Sequence, residues 1–198
     1  MSRSLSLRTP QGTLAAQLVL PFEPRAVALL AQLQPNPTDA VIAANLAARH
    51  YGILSLPLLT GRESHFPDTH HNVALLTQRL LLGLDLLHRD SETEGLPVVL
   101  YATGHGTPAA IRAAAQRDTQ VRVVACHGGL IDLAGLQYLN LLGTPLLVLV
   151  DRDDPVSATA YRRAEKHLTP PHQMIAIEPL ENPSSRVVSW FSQHLGGA

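Results

Sequence analysis

Six short, continuous apolar runs recur along the chain, and they constrain its fold more than any other feature of the sequence. A strand with one exposed face alternates apolar and polar residues, whereas a strand covered on both faces is apolar throughout. Continuous runs of this kind, separated by helical segments, therefore predict buried parallel strands. The runs lie at residues 26–31, 53–59, 97–102, 121–126, 145–150 and 174–178.

Helical segments are expected between these runs. Thr38-Asp39 is a candidate cap for a helix through residue 49, and Asn72 is one for a helix through His88. Further helices are predicted at 108–117, 157–168 and 184–195.

The N-terminal segment predicts a hairpin, with strands at 5–8 and 14–20 joined at Gln11-Gly12. The fold class predicted is therefore α/β. It is a doubly wound, mostly parallel sheet of about eight strands, with an N-terminal antiparallel hairpin and helices on both faces.

Composition narrows the classes of function. The 198 residues suit one domain spanning 1–198, and a net charge of −1 provides no basic field for nucleic acid or an anionic membrane. The single cysteine, Cys126, cannot form an internal disulfide, and the N-terminus lacks the apolar stretch of a signal peptide. We expect a cytoplasmic protein that needs no cofactor.

The stretch PVVLYATGHGTPAAIRAAAQ at 97–116 carries the most information about function. A buried strand enters a tight turn, and a helix follows with Thr107 as the expected cap and Pro108 at its first position. This is the context of a nucleophile elbow, G-x-S-x-G, but Gly104 stands where the serine would be. Glycine relieves the strained backbone of such a turn, so the turn can persist without the chemistry. The alternative of a phosphate-binding loop lacks the Walker lysine and the spaced glycines of a dinucleotide motif.

From about residue 12 to 195 the chain resembles the small bacterial dienelactone hydrolase-like members of the α/β-hydrolase superfamily. YATGHGTPAAIRAAA is similar to their elbow and following helix, and CHGGLIDLAG at 126–135 to their segment after the next strand. TPLLVLVDRDDPV at 144–156 resembles the strand and loop that carry their catalytic acid, and SWFSQHL at 189–195 their closing helix. The resemblance implies the superfamily fold, with Asp153 at the acid position.

The sequence differs from that family at the positions of its catalytic residues. Gly104 replaces the nucleophile, and AQLQPNP at 31–37 replaces the family's H-G-S-G oxyanion segment, with Gln32 near the histidine position. IAIEPLENPSS at 175–185 contains no histidine where the family carries one. Asp153 then has no imidazole to orient, and we expect it to cap the following helix or to be a solvated acid.

Other residues near the elbow are weak candidates for a nucleophile. Cys126 precedes His127, but neighbours on a strand point to opposite faces, and buried cysteines are commonly inert. Thr103 and Thr107 flank the elbow with no base identified beside them. The residues predicted to line a pocket at this edge are Gln32, Thr103, Gly104, His105, His127 and Asp153.

Ten histidines are many for this length, and several should lie at the carboxyl edge of the sheet. His65, His70 and His71 are weak metal-ligand candidates, because H-x4-H-H is not an established ligand spacing. A pH-sensitive pocket is a related hypothesis, since imidazole titrates near neutral pH.

The sequence therefore favours a non-catalytic homologue of these hydrolases, acting as a binding, regulatory or partner subunit for a small molecule or a protein. The alternatives are an active esterase or lactonase with an unorthodox nucleophile, and a metal-binding protein. The leucine-rich helix at 73–87 is expected to pack on the sheet, with homodimerisation as a second possibility.

Overall fold

One sheet of eight strands is the framework of the computed structural model, which describes residues 1–34, 36–179 and 181–196. The continuous apolar runs form its six parallel strands. The strands are β1 (Ser2–Thr9), β2 (Gly12–Val19), β3 (Ala26–Gln32), β4 (Tyr51–Pro57), β5 (Val98–Thr103), β6 (Val121–His127), β7 (Leu146–Asp151) and β8 (His172–Ile177).

The strand order is β1-β2-β4-β3-β5-β6-β7-β8. β1 and β2 form the antiparallel hairpin, from Ser2 opposite Val19 to Thr9 opposite Gly12, and β2 also pairs antiparallel with β4. The other neighbours pair in parallel. The predicted fold class is confirmed. The predicted hairpin strands were too short, because residues 2–9 alternate in exposure and lack a continuous apolar run.

Helices cover both faces of the sheet. They are α1 (Pro37–Ala47), α2 (Pro67–His70), α3 (Val73–Arg89), α4 (Thr107–Gln116), α5 (Leu136–Leu141), α6 (Pro155–Ala164) and α7 (Ser184–Leu195), with 3-10 turns at Glu63–His65, Gly104–Gly106, Ile131–Ala134 and Glu165–His167. α1 and α7 pack on one face, whereas α3, α4, α5 and α6 pack on the other. The leucine-rich helix is core, since Leu76, Leu80 and Leu84 of α3 are fully buried.

Two of the predicted helix starts were wrong. α1 is capped by Asn36, whose side chain accepts a hydrogen bond from the Thr38 amide, and not by Thr38-Asp39. α4 begins at Thr107 itself, whose hydroxyl donates to the Gly128 carbonyl instead of capping the helix. Asn72 caps α3 as predicted, by accepting from the Leu75 amide.

None of the helices in the described parts of the chain is both long and apolar enough to cross a bilayer.

A buried ion pair fixes the segment between β4 and α3 to the body of the protein. Arg79 of α3 is 2% exposed, and its guanidinium lies 3.0 Å from the Glu63 carboxylate and 2.8 Å from the side-chain oxygen of Gln11 in the hairpin turn. The Thr60 amide donates to the other oxygen of Glu63 at 2.8 Å. Burial alone would raise the pKa of Glu63, but the hydrogen bonds from Thr60 and the charge of Arg79 hold it below its ordinary value.

Arg79→Met is expected to destabilise the protein by about 3–5 kcal/mol near neutral pH, because the Glu63 carboxylate stays buried without its cation. Glu63 stabilises the wild type above the carboxyl pKa of the unfolded chain, and this contribution is lost as the pH falls through its lower folded pKa. In the variant the uncompensated carboxylate prefers to be protonated, so the deficit should shrink at acid pH. Urea unfolding near pH 7 and near pH 4.5 measures both effects.

Arg152→Met is the matched control, because Arg152 pairs with Glu178 at 2.8 Å while its side chain is 65% exposed. An exposed pair of this kind contributes about 0–1 kcal/mol. Equal losses in the two variants would contradict the structural role of the Glu63–Arg79 pair.

Candidate functional site

The carboxyl end of β5 turns sharply into α4, and Gly104 stands at the turn. Its φ is +51°, a left-handed conformation that favours glycine, and the 3-10 turn Gly104–Gly106 leads directly into the helix. A Cβ built on Gly104 has no atom within 4 Å. The turn has the geometry of a nucleophile elbow with open space at its apex.

The loop after β6 lies directly against this turn. A Cβ built on Gly129, whose φ is +86°, would overlap the carbonyl oxygen of Gly104 and lie 3.0 Å from the Thr107 Cβ. Thr107 donates to the Gly128 carbonyl at 3.2 Å, which joins the two segments. Cys126 lies fully buried at the end of the same strand, where burial raises the pKa of its thiol to about 12. That thiol is therefore not a nucleophile at neutral pH.

A cavity of about 640 Å³ opens beside the elbow. Thr103, Gly104 and His105 line it from the turn, and Asn36 and Pro37 line it from the start of α1. The opposite side is the segment between β4 and α3, which the Glu63–Arg79 pair holds in place. Of the predicted pocket residues, Gln32, His127 and Asp153 lie outside this lining.

Four histidines line the cavity. His65 contacts the Gly61 carbonyl through Nδ1 at 2.6 Å, and His70 contacts the Ser64 carbonyl through Nε2 at 3.0 Å. The rings of His71 and His105 meet edge to face, with 4.1 Å between their centroids. Within the described residues, no three His, Cys, Asp or Glu side chains are grouped closely enough to hold a metal ion.

His105 has a perturbed imidazole. Burial is the largest cause that lowers its pKa, and the charges of His71 and His70 lower it further. The shift of His105 is consistent with the geometry, because the three rings line one cavity and like charges oppose its protonation.

A second polar group follows the ends of adjacent strands, on the face of the sheet that α1 and α7 cover. His127 pairs in register with Thr103, and its Nε2 lies 3.0 Å from a carboxylate oxygen of Asp151. Gln32 donates to Asp39 at 3.2 Å. Asp39 is 4% exposed, and burial raises its pKa despite this hydrogen bond.

The sequence analysis missed Asp151 and Asp39. Asp151 is the last residue of β7, and alternation along the strand places it on the same face as His127. Its position could therefore have been predicted from the strand pattern. Asp39 was assigned to a cap, although it lies inside the first turn of α1.

Asp153 is exposed in the turn after β7, and the helix that follows is capped by Asp154 instead. Burial opposes ionisation of Asp154, but hydrogen bonds from Ser157 and Val156 and the charge of His127 outweigh it and lower the pKa. Asp154 therefore caps the helix, which is one of the two roles predicted for Asp153.

Two groups of a serine hydrolase are missing from the positions that the resemblance gives them. The elbow has no hydroxyl or thiol at position 104, and residues 178–185 contain no histidine to act as a base. Leu180, within that segment, lies outside the described residues. What the site offers is an open cavity with imidazole groups, and a separate His127–Asp151 pair on the other face.

Similar solved structures share this architecture. The dienelactone hydrolase from Anabaena variabilis ATCC 29413 superposes with a TM-score of 0.88 at 24% identity, over 98% of each chain. Est1E from Butyrivibrio proteoclasticus superposes with a TM-score of 0.77 at 10% identity, over 97% of this chain and 98% of that one. The chain has the α/β-hydrolase fold, in the form that dienelactone hydrolase adopts.

Sequence comparison finds further relatives. Two Mycobacterium tuberculosis proteins, from strains CDC 1551 and H37Rv, are each 28% identical over 197 residues, and their names propose a phosphoribosyl transferase. The match covers 92% of this chain but 44% of each relative, so the chain spans less than half of their length. No protein-family model matches the chain.

Gly129→Ala is expected to destabilise the protein by about 3 kcal/mol or more, because the new methyl combines a clash with the Gly104 backbone and a disfavoured positive φ. Gly143→Ala is the control, since a Cβ there meets no atom within 4 Å. Chemical unfolding of both variants measures the difference. Equal stability of the two would show that the loop after β6 is not pressed against the elbow.

Proposed function

We propose that this protein binds a small molecule in the cavity above Gly104 and does not process it by serine-type acyl transfer. The observation that carries the proposal is a cavity of about 640 Å³ beside an elbow that has kept its left-handed turn without a nucleophile. A cavity of this size suits a drug-sized ligand.

The polar lining supports binding as the role of the cavity. His71 and His105 offer ring nitrogens to a ligand, and Leu33, Pro37 and Pro67 offer apolar contacts on its walls. Sites for small molecules commonly combine apolar walls with a few convergent polar groups.

The missing groups argue against acyl transfer. That reaction needs a nucleophile, a base within hydrogen-bond reach and donors for the oxyanion. Gly104 supplies no nucleophile, and AQLQPNP at 31–37 does not match the H-G-S-G segment. The protein would then act as a binding, regulatory or partner subunit. The transferase named for the mycobacterial relatives belongs to proteins more than twice as long as the matched region.

One observation favours a second candidate, a hydrolase with an unorthodox nucleophile. Thr103, His127 and Asp151 follow one another at the ends of β5, β6 and β7, in the order nucleophile, base and acid. Asp151 holds one ring nitrogen of His127, which leaves the other free to act as a base. Within the described residues, however, the Thr103 hydroxyl makes no hydrogen bond to His127.

The wild type should bind members of a small-molecule library and hydrolyse none of them. Ligand-observed NMR detects binding, and activated acyl esters with a fluorophosphonate probe test for turnover and for a reactive hydroxyl. Bound compounds should compete with one another and shift the signals of His71 and His105. The proposal fails if no compound binds, or if the probe labels the protein stoichiometrically.

Two variants separate the candidates. His127→Gln should leave binding unchanged, because His127 lies outside the cavity lining. Thr103→Val removes the candidate nucleophile, and with it one hydroxyl of the lining. Turnover in the wild type that both variants abolish would favour the second candidate.

Gly104→Ser is expected to fold and to remain inactive. The space around position 104 accommodates the side chain, and the positive φ costs about 1 kcal/mol. An unactivated serine stays protonated at neutral pH, and loss of one oxyanion donor alone costs roughly 10²–10³ in rate. Activated-ester turnover and the melting temperature, beside Gly143→Ser as control, measure both effects. Robust turnover by Gly104→Ser would show that a histidine able to act as the base already lies within reach of position 104.

A further inference from the structure

We propose that the ligand of this cavity is a small organic carboxylate, held by the imidazoles of His71 and His105 and bound more tightly as the pH falls. The inference rests on the proposed function and names the chemical class of its ligand.

The His71–His105 contact is the first support. The two rings lie edge to face at 4.1 Å, and both line the cavity. His65 and His70 already use a ring nitrogen on the Gly61 and Ser64 carbonyls. Within the described residues, neither His71 nor His105 has a hydrogen bond from its ring to the protein. Their N–H groups are therefore available to a ligand.

The charge of the lining is the second support. Among the described residues that line the cavity, the ionisable side chains are all histidines. Two buried carboxylates of the surrounding elements are engaged elsewhere: Glu63 is held by Arg79, and Asp39 accepts from Gln32. Asp68 of α2 and Arg62 before the 3-10 turn are exposed outside the lining, and His127 faces Asp151. A proton taken up in this cavity therefore meets no carboxylate on its walls.

This charge distribution determines the sign of the pH dependence. In the empty protein, burial and the charges of His71 and His70 lower the pKa of His105. A carboxylate bound beside the two rings offsets the cost of protonation and raises that pKa in the complex. Binding is therefore accompanied by proton uptake, and affinity increases by up to about tenfold per pH unit for each proton taken up.

The chemistry of the walls favours a carboxylate over a phosphate. The lining contains no Arg or Lys among its described residues, and phosphate dianions are typically held by such cations or by several backbone amides. Two imidazole N–H groups match the two oxygens of one carboxylate. Leu33, Pro37 and Pro67 provide apolar walls for the body of the ligand.

The test compares three probes: benzoate, its uncharged isostere benzamide, and inorganic phosphate. Titrations near pH 5.5 and near pH 8, followed by the imidazole ring signals, give an affinity for each probe. Benzoate should bind at least about tenfold more tightly at the lower pH and more tightly than phosphate. Benzamide should bind with the same affinity at both pH values.

The double variant His71→Gln/His105→Gln should keep its fold and lose the pH dependence of benzoate binding. His88→Gln is the matched control, because His88 is exposed near the end of α3 and lies outside this cavity lining. Three results would each overturn the carboxylate proposal and leave the binding function standing. Benzamide could bind as tightly as benzoate, phosphate could bind more tightly than benzoate, or the pH dependence could survive in the double variant. Failure of all three probes, together with the whole compound library, would overturn the binding function itself.

Discussion

The backbone contact between Gly129 and the Gly104 carbonyl determines how the elbow is built. Neighbouring parallel strands end at the same edge, so the segments that follow β5 and β6 must turn away within a few ångströms of each other. Any side chain at position 129 would push the two segments apart. The left-handed turn at Gly104, the start of α4 and one wall of the cavity all depend on this close approach. The contact reaches backbone atoms of Gly104, so it does not require any particular side chain at position 104.

The sheet could be predicted from the sequence because its strands are short continuous apolar runs that alternate with longer helical segments along the chain. The sequence predicted the site less well. The cap of α1 was predicted at Thr38-Asp39, but Asn36 caps the helix by accepting a hydrogen bond from the Thr38 amide. Asp39 is instead buried against Gln32, a tertiary contact that cannot be predicted from the local sequence pattern. Asp153 and Asp154 are adjacent aspartates, and the backbone conformation of the turn determines that Asp154 is the one that caps α6. The histidines at 65–71 could be placed at an edge, but the contact between His71 and His105 joins residues far apart in sequence.

The polar residues at the carboxyl edge form two groups on different faces. His71 and His105 belong to the cavity on one side of the elbow, whereas His127 and Asp151 lie on the face that α1 and α7 cover. The α/β-hydrolase fold of this chain therefore presents imidazoles at its strand ends in two separate groups. The choice between binding and an unorthodox hydrolysis depends on which of these groups meets the ligand.

The Glu63–Arg79 pair has a consequence for motion. Arg79 lies in the interior of α3, and through Gln11 it also contacts the hairpin turn, so the histidine-bearing wall is anchored to two distant parts of the chain. Detaching the Glu63 end of this segment requires the buried charge pair to be broken, which costs several kcal/mol, on the order of 3–5. One end of the cavity wall is therefore anchored in the interior of the protein, whereas His65 and His71 beyond it are exposed to a ligand.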